Sequence, residues 1–208
     1  MAKGLLMLRG LFGPSKQKLI DQMGSGDNTL ALQAIKELRA KGWFKDGSLR
    51  GIHLRRANLQ GAALAKADME CAVLREANLT KAYLGETNLR VADLQGAILC
   101  EANMRNVILT EANLSGADLR RAYVPDADLS QVNLSDSNLR DANLWQAKLH
   151  GANLYKADMR GALLNGTRFD VDTVLPDNTK WTADTDMNRF TNPEHANFHS
   201  LNGASKPG

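Results

Sequence analysis

Aromatic residues are scarce in this chain: three Trp, three Tyr and five Phe among 208 residues, or 5%. A conventional globular core takes much of its bulk from aromatic rings, so the interior here must be filled by smaller units. Cysteine is scarcer still. Two residues, Cys71 and Cys100, cannot build a disulfide scaffold, and they suit a reducing, cytoplasmic compartment. No apolar run reaches the ~18 residues of a membrane span, which excludes a transmembrane helix. Strong charge of one sign is missing as well. Lys+Arg (26) and Asp+Glu (23) leave a net charge of +3. That balance argues against a basic polyanion binder and against an acidic disordered tail. What is abundant is Leu (31) and Ala (27), which fill 58 of the 208 positions.

The first stretch, residues 1–13 (MAKGLLMLRGLFG), is apolar in short pieces. Arg9 interrupts it after Leu5 to Leu8, too soon for a secretory signal. A short docking helix is expected, with a membrane-surface or partner contact through Leu5, Leu8, Leu11 and Phe12 as the alternative. Residues 14–27 (PSKQKLIDQMGSGD) have the punctuation of a linker. A helix follows, capped by Asp27 or Asn28, with Leu30, Ala31, Ala34, Ile35 and Leu38 at helical spacing. Gly42 stands where a carboxy-terminal glycine cap belongs. Trp43 and Phe44 come next, as a plug over whatever begins there.

From Ile52 to Asp170 the chain repeats every five residues. Twenty-four pentad centres run from Leu54 to Phe169, and nineteen of them are Leu. The others are Met69, Met104, Met159, Val124 and Phe169. Ala holds 18 of the 24 positions two residues before a centre, and Asn or Asp holds 14 of the 24 positions one before it. The motif reads A-(N/D)-L-x-x.

Period five decides the geometry. On an α-helix each step of five advances about 500°, so successive leucines scatter around the axis. On a flat strand they alternate between faces, because five is odd. All of them can point inward only if the chain turns a corner once per pentad. Four corners close a square coil of about 20 residues, and coils stack at the strand spacing of ~4.8 Å. Twenty-four pentads then give about six coils, or roughly 29 Å of solenoid whose ends must be covered. Inward Leu fills the axis and Ala fits near the corner. Asn and Asp hydrogen-bond local backbone at turns and tolerate unusual backbone angles, a structural role.

This series resembles the pentapeptide-repeat family over about 120 of the 208 residues. The resemblance implies an all-β solenoid, the right-handed quadrilateral β-helix of that family. It implies no catalysis. The best-understood members are DNA mimics that bind DNA gyrase, and others are interaction proteins. Residues 173–198 resemble a tail that follows the repeats in some bacterial members.

Residues 20 apart share a row on the coil surface. One row reads Gln60, Thr80, Cys100, Arg120, Arg140, Arg160. Its three arginines are a candidate site for an anion or an acidic partner, with Asp141 of the neighbouring row placed to offset them. Rows containing Lys81 and Glu101, or Lys66 and Glu86, alternate in sign and can pair vertically. Another face gathers Tyr83, Tyr123 and Leu163, with Asn103 and Asn143 between them and with Pro125 and Trp145 alongside. An apolar cluster in an aromatic-poor chain is the candidate protein-binding patch, unless a terminal segment lies over it.

Residues 50–170 hold 15 Lys+Arg and 14 Asp+Glu, a sum of +1. Duplex DNA carries about one negative charge per 1.7 Å, so the sum argues against DNA mimicry, and no aromatic-interleaved basic patch argues for nucleic-acid binding. In the tail, Trp181, Phe190 and Phe198 are expected to cover the open end, with a turn at Leu175 to Asn178. His195 and His199 are spaced as metal ligands can be, but without a zinc-protease pattern. No cofactor motif and no catalytic set is present.

The expected organisation is a helical segment and cap (1–46), a pentapeptide-repeat β-helix (47–170) and a capping tail (171–208). The expected function is a non-enzymatic scaffold for an unidentified protein partner. The alternatives are gyrase modulation by DNA mimicry and metal or small-ligand binding at the tail. A homodimer through a coil end or flat face is compatible with the sequence.

Overall fold

The computed structural model describes residues 13–200. Leu5, Leu8, Leu11 and Phe12 lie outside the described residues.

Two helices precede the repeats, α1 (Lys16–Met23) and α2 (Asn28–Ala40). Helix α1 falls where the composition suggested a linker. The Ser15 side chain accepts from the Lys18 N–H and caps it, and Leu19 and Met23, four residues apart, are both buried. Asp27 caps α2, accepting from the N–H groups of Thr29 (2.8 Å) and Leu30 (3.3 Å). Past its other end Gly42 has φ +74°, the Gly42 N–H reaches the Arg39 carbonyl, and the Trp43 N–H reaches that of Leu38. This is the six-to-one and five-to-two closure that a left-handed residue permits. Ala31, Ala34, Ile35 and Leu38 of α2 and Phe44 are buried in the same apolar cluster as Leu54 and the centres that follow.

Through the repeats, the residue before each centre pairs in parallel with the residue 20 further on. His53 pairs with Val73, Asn58 with Asn78, Ala63 with Tyr83 and Asp68 with Asn88, and so on around four sides. Each side contributes a single bridge rather than a strand, because a corner every five residues leaves one residue free to pair. The register holds to Lys148 with Arg168, then gains one residue at Asn153 with Val174. The chain is thus a β-helix solenoid whose axis is lined by buried Leu, Met and Ala.

The corners carry a cost that the sequence does not announce. Every fifth residue from Gly51 to Gly166 has positive φ. Glycine holds seven of these 24 positions; the other seventeen include Arg56, Glu76, Val91 and Asp136. The left-handed region costs a non-glycine residue about 1–2 kcal/mol. The corner N–H groups from Gly51 to Gln146 are satisfied by carbonyls of the next coil, as in Arg56 to the Arg75 carbonyl at 2.9 Å. Burying one Leu returns about 1.5–3 kcal/mol, enough to hold the turn. The Asn and Asp of the motif, one residue before each centre, do not occupy these strained positions, contrary to expectation; Asn106, Asp126, Asp136 and Asp141, which stand outside that motif position, do. The motif Asn and Asp sit on the bridging residue, where their short side chains can reach the backbone two residues on.

The first coil has no preceding coil to bond. The helical segment meets it instead. Asn28 Nδ2 donates to the carbonyls of Asn58 and Gln60 (3.0 Å each). Arg39 donates to those of Ala63 (2.6 Å) and Ala65 (3.1 Å). The Phe44 carbonyl accepts from the Asp68 N–H at 2.8 Å. At the other end the Leu154 and Lys156 N–H groups reach the carbonyls of Val174 and Pro176, and the Gly161 N–H reaches that of Thr191, in the short helix α3 (Asn188–Thr191). Phe169 stacks on Trp181 at 6.1 Å between centroids, and Phe190 is buried.

Candidate functional site: the solenoid faces

Bridging asparagines and aspartates form ladders. Asn88 Nδ2 donates to Asp68 Oδ1 at 3.0 Å, Asn113 to Asp93 at 3.3 Å and Asn133 to Asn113 at 3.3 Å. The Oδ1 atoms of Asp93 and Asn113 also accept a backbone N–H two residues on, from Gln95 at 3.2 Å and from Ser115 at 3.1 Å. These groups are occupied in holding the coils together.

The arginine row is likewise engaged. Arg120 makes a bidentate pair with Asp118, and Arg160 pairs closely with Asp158. Arg140 approaches the same Asp158 at 4.0 Å. Arg120 and Arg160 turn to the aspartate two residues before them, and Arg140 to Asp158 of the next coil, rather than to the expected Asp141. Hydrogen bonding from Arg120 holds the Asp118 carboxyl below the usual carboxylate range. Burial pushes Asp158 upward, but the side chain and backbone N–H of Arg160 outweigh it and keep the group low. Burial raises the Cys100 thiol in the same row.

Vertical pairing occurs at Lys66 with Glu86 (3.5 Å), Lys81 with Glu101 (3.6 Å) and Arg90 with Glu111 (2.9 Å). The solenoid's carboxylates therefore face cations along much of its surface, and dense unpaired negative charge does not develop.

The structure brings Tyr83, Asn103, Tyr123, Asn143 and Leu163 into one continuous row of parallel bridges. Tyr83 (58%), Tyr123 (43%) and Leu163 (53%) are well exposed, and Trp145 beside Asn143 is 46% exposed. No described part of either terminal segment covers them. Pro125, grouped with these residues on sequence grounds, is instead buried. It stands in the row between Arg105 and Trp145, one coil to either side, and larger neighbours shield its small ring. Tyr155 lies on another side, beside Asn153, so three of the solenoid's four outward aromatics share one face.

Three features of this face escaped the sequence reading. Asn103 Oδ1 accepts from Arg105 N–H (3.3 Å) and Asn143 Oδ1 from Trp145 N–H (2.9 Å). Neither amide Nδ2 has an acceptor among the described residues, because the row-mates above and below are Tyr or Leu. Arg121, two residues before Tyr123, is exposed and has no carboxylate within ion-pair distance among the described residues. The alternation Tyr–Asn–Tyr–Asn–Leu at 20-residue spacing was the available signal.

In the tail, His195 Nε2 meets Asp186 at 2.9 Å and His199 packs edge-on against Phe190. The two histidines are not brought together as ligands, and no cluster of three metal-ligating side chains occurs among the described residues. Cys71 and Cys100 are unpaired. No described helix is long and apolar enough to cross a membrane.

A family model described as pentapeptide repeats matches residues 52–90, 87–123 and 127–166, in 8 copies. No curated protein matches the chain in sequence. Among solved structures, HetL is a pentapeptide repeat protein involved in heterocyst differentiation regulation in the cyanobacterium Nostoc. It is 32% identical over 64% of this chain and 76% of its own, with a TM-score of 0.34. A pentapeptide repeat protein of the Arabidopsis thaliana thylakoid lumen is 28% identical over 57% of this chain and 72% of its own, with a TM-score of 0.41. QnrB1, a plasmid-mediated fluoroquinolone resistance protein, is 17% identical over 61% of this chain and 69% of its own, with a TM-score of 0.43.

Proposed function

The chain belongs to the pentapeptide repeat family, and from that premise we propose that it is a non-enzymatic scaffold presenting one face of its β-helix to a protein partner. The observation that carries this reading is the exposed row of Tyr83, Tyr123 and Leu163 with Trp145 beside it, in a chain only 5% aromatic. Exposed aromatic anchors concentrate binding energy at protein interfaces. In this reading the solenoid (47–170) winds right-handed through about six coils. The segments 1–46 and 171–208 are caps that deny its edges to further stacking. A reducing cytoplasmic setting in a bacterial cell fits the two unpaired cysteines. The pairing of carboxylates with Lys and Arg speaks against gyrase modulation by DNA mimicry.

The test is parallel capture on immobilised wild type, Tyr83→Ala/Tyr123→Ala and Tyr155→Ala. A partner retained by wild type and Tyr155→Ala but lost by the double variant supports the reading. Equal recovery on all three overturns it.

A further inference from the structure

The row that carries the proposed partner contact has a periodicity of its own. Apolar groups stand at Tyr83, Tyr123 and Leu163, every second coil, and an asparagine stands on each coil between. Two coils advance about 9.6 Å at the strand spacing. A polyproline II helix advances about 9.3 Å in its three-residue turn. A segment in that conformation, laid along the solenoid axis, therefore brings an equivalent apolar edge over Tyr83, Tyr123 and Leu163 in succession. The match accumulates a mismatch of well under 1 Å across the row.

The polar groups fit the same occupant. Polyproline II makes no internal hydrogen bonds, so its carbonyls remain open acceptors. Asn103 and Asn143 each keep an amide Nδ2 without an acceptor among the described residues, while on the other faces Asn78, Asn88, Asn113, Asn133 and Asn153 give theirs to a ladder neighbour and only Asn58 and Asn138 of the bridging asparagines do not. Trp145 widens the platform beside Asn143, and its indole N–H also has no acceptor there. Aromatic platforms with interspersed donors are how folded domains take proline-rich segments, whose low conformational entropy favours binding.

Charge adds direction. Arg121 flanks Tyr123 without a carboxylate partner among the described residues, and Arg140 shares Asp158 with Arg160. Arg121 thus offers a local cation to an acidic side chain on the ligand, although Asp141, one coil on in the same row, is exposed and likewise without an ion-pair partner among the described residues. We propose that the Tyr83–Tyr123–Leu163 row binds a proline-rich, polyproline II segment of a partner protein that carries flanking acidic residues. This rests on the scaffold reading and specifies its ligand.

The probe is a fluorescently labelled oligoproline of about nine residues, or three turns, ending in Asp-Glu. A Gly/Ser peptide with the same ending serves as the control, and binding is read by fluorescence anisotropy. Saturable binding of the oligoproline, at least tenfold stronger than the control, is expected. Tyr83→Ala and Tyr123→Ala should each weaken it severalfold, and Arg121→Gln should weaken it and flatten its salt dependence. The decisive variant transposes a row pair, Asn103→Tyr with Tyr123→Asn. It keeps every side chain but sets the tyrosines one coil apart, and it should bind at least fivefold more weakly while keeping the wild-type melting temperature. Equal affinity for the control peptide, unchanged affinity in the transposed variant, or no binding of the oligoproline overturns the inference. If a partner is still captured through Tyr83 and Tyr123 in that event, the scaffold reading stands and only its ligand is wrong.

Discussion

Tyr83 and Tyr123 are 40 residues apart in the chain, yet a single residue, Asn103, separates them in space and bridges in parallel with both. Their rings stand exposed on a row whose backbone is fully engaged by the coils on either side. Removing the rings therefore leaves the fold intact. Tyr83→Ala and Tyr123→Ala should change stability by no more than about 0.5 kcal/mol each, as surface substitutions do, when measured by urea denaturation. A much larger loss would mean that the rings serve the solenoid rather than a ligand.

The axis responds differently. Leu99 is fully buried between coils. Leu99→Ala should cost about 2–5 kcal/mol, since stacked coils cannot collapse into the gap. Ala102→Leu, which crowds a fully buried position, should cost about 1–3 kcal/mol. Chemical denaturation of both variants checks the roles assigned to the two inward positions.

Val91 is a β-branched residue held at φ 57° and 44% exposed. β-Branched side chains fit the left-handed region poorly. Val91→Gly relieves that strain and removes little buried surface, so it should raise stability by about 1 kcal/mol. A lower denaturation midpoint would show that the stacked turn imposes no strain on Val91.

The first coil depends on two side chains from α2. Asn28→Ala and Arg39→Ala leave the carbonyls of Asn58, Gln60, Ala63 and Ala65 without these donors. Each should cost roughly 1–2 kcal/mol. The double variant should also self-associate with rising concentration, because exposed bridge edges pair with other chains. Sedimentation velocity reads this directly.

Acid should loosen the arginine row. The folded Asp118 carboxyl is held below its ordinary value of 3.8 by Arg120. A depressed carboxylate contributes stability that is present above the unfolded value and is lost as pH falls through the folded one. Its share of the melting temperature should therefore hold from neutral pH down to about 4 and fall away below that. Asp118→Asn should be less stable than wild type at pH 7, with the gap narrowing below pH 4.

The repeat was legible because period five admits few shapes. Leu and Ala at fixed offsets, with Asn or Asp between them, required a corner per pentad and a 20-residue coil, and the bridges from His53 to Lys148 keep that register. The same periodicity predicted the Tyr83–Tyr123–Leu163 row and the Lys66–Glu86 pair. Helix α1 was hidden because polar residues, Pro14 and glycines surround its two buried side chains, Leu19 and Met23.

Periodicity fixes which residues share a row, because that depends only on the count of residues between corners. It does not fix what a side chain does once it arrives there. Arg120 turned to Asp118 within its own coil rather than to a neighbouring row, and Pro125 became buried between larger row-mates. Asn103 kept an amide free while Asn113 spent its own on Asp93. Each outcome depended on distances of a few ångströms to atoms one coil away, and only the stacked tertiary structure sets those distances.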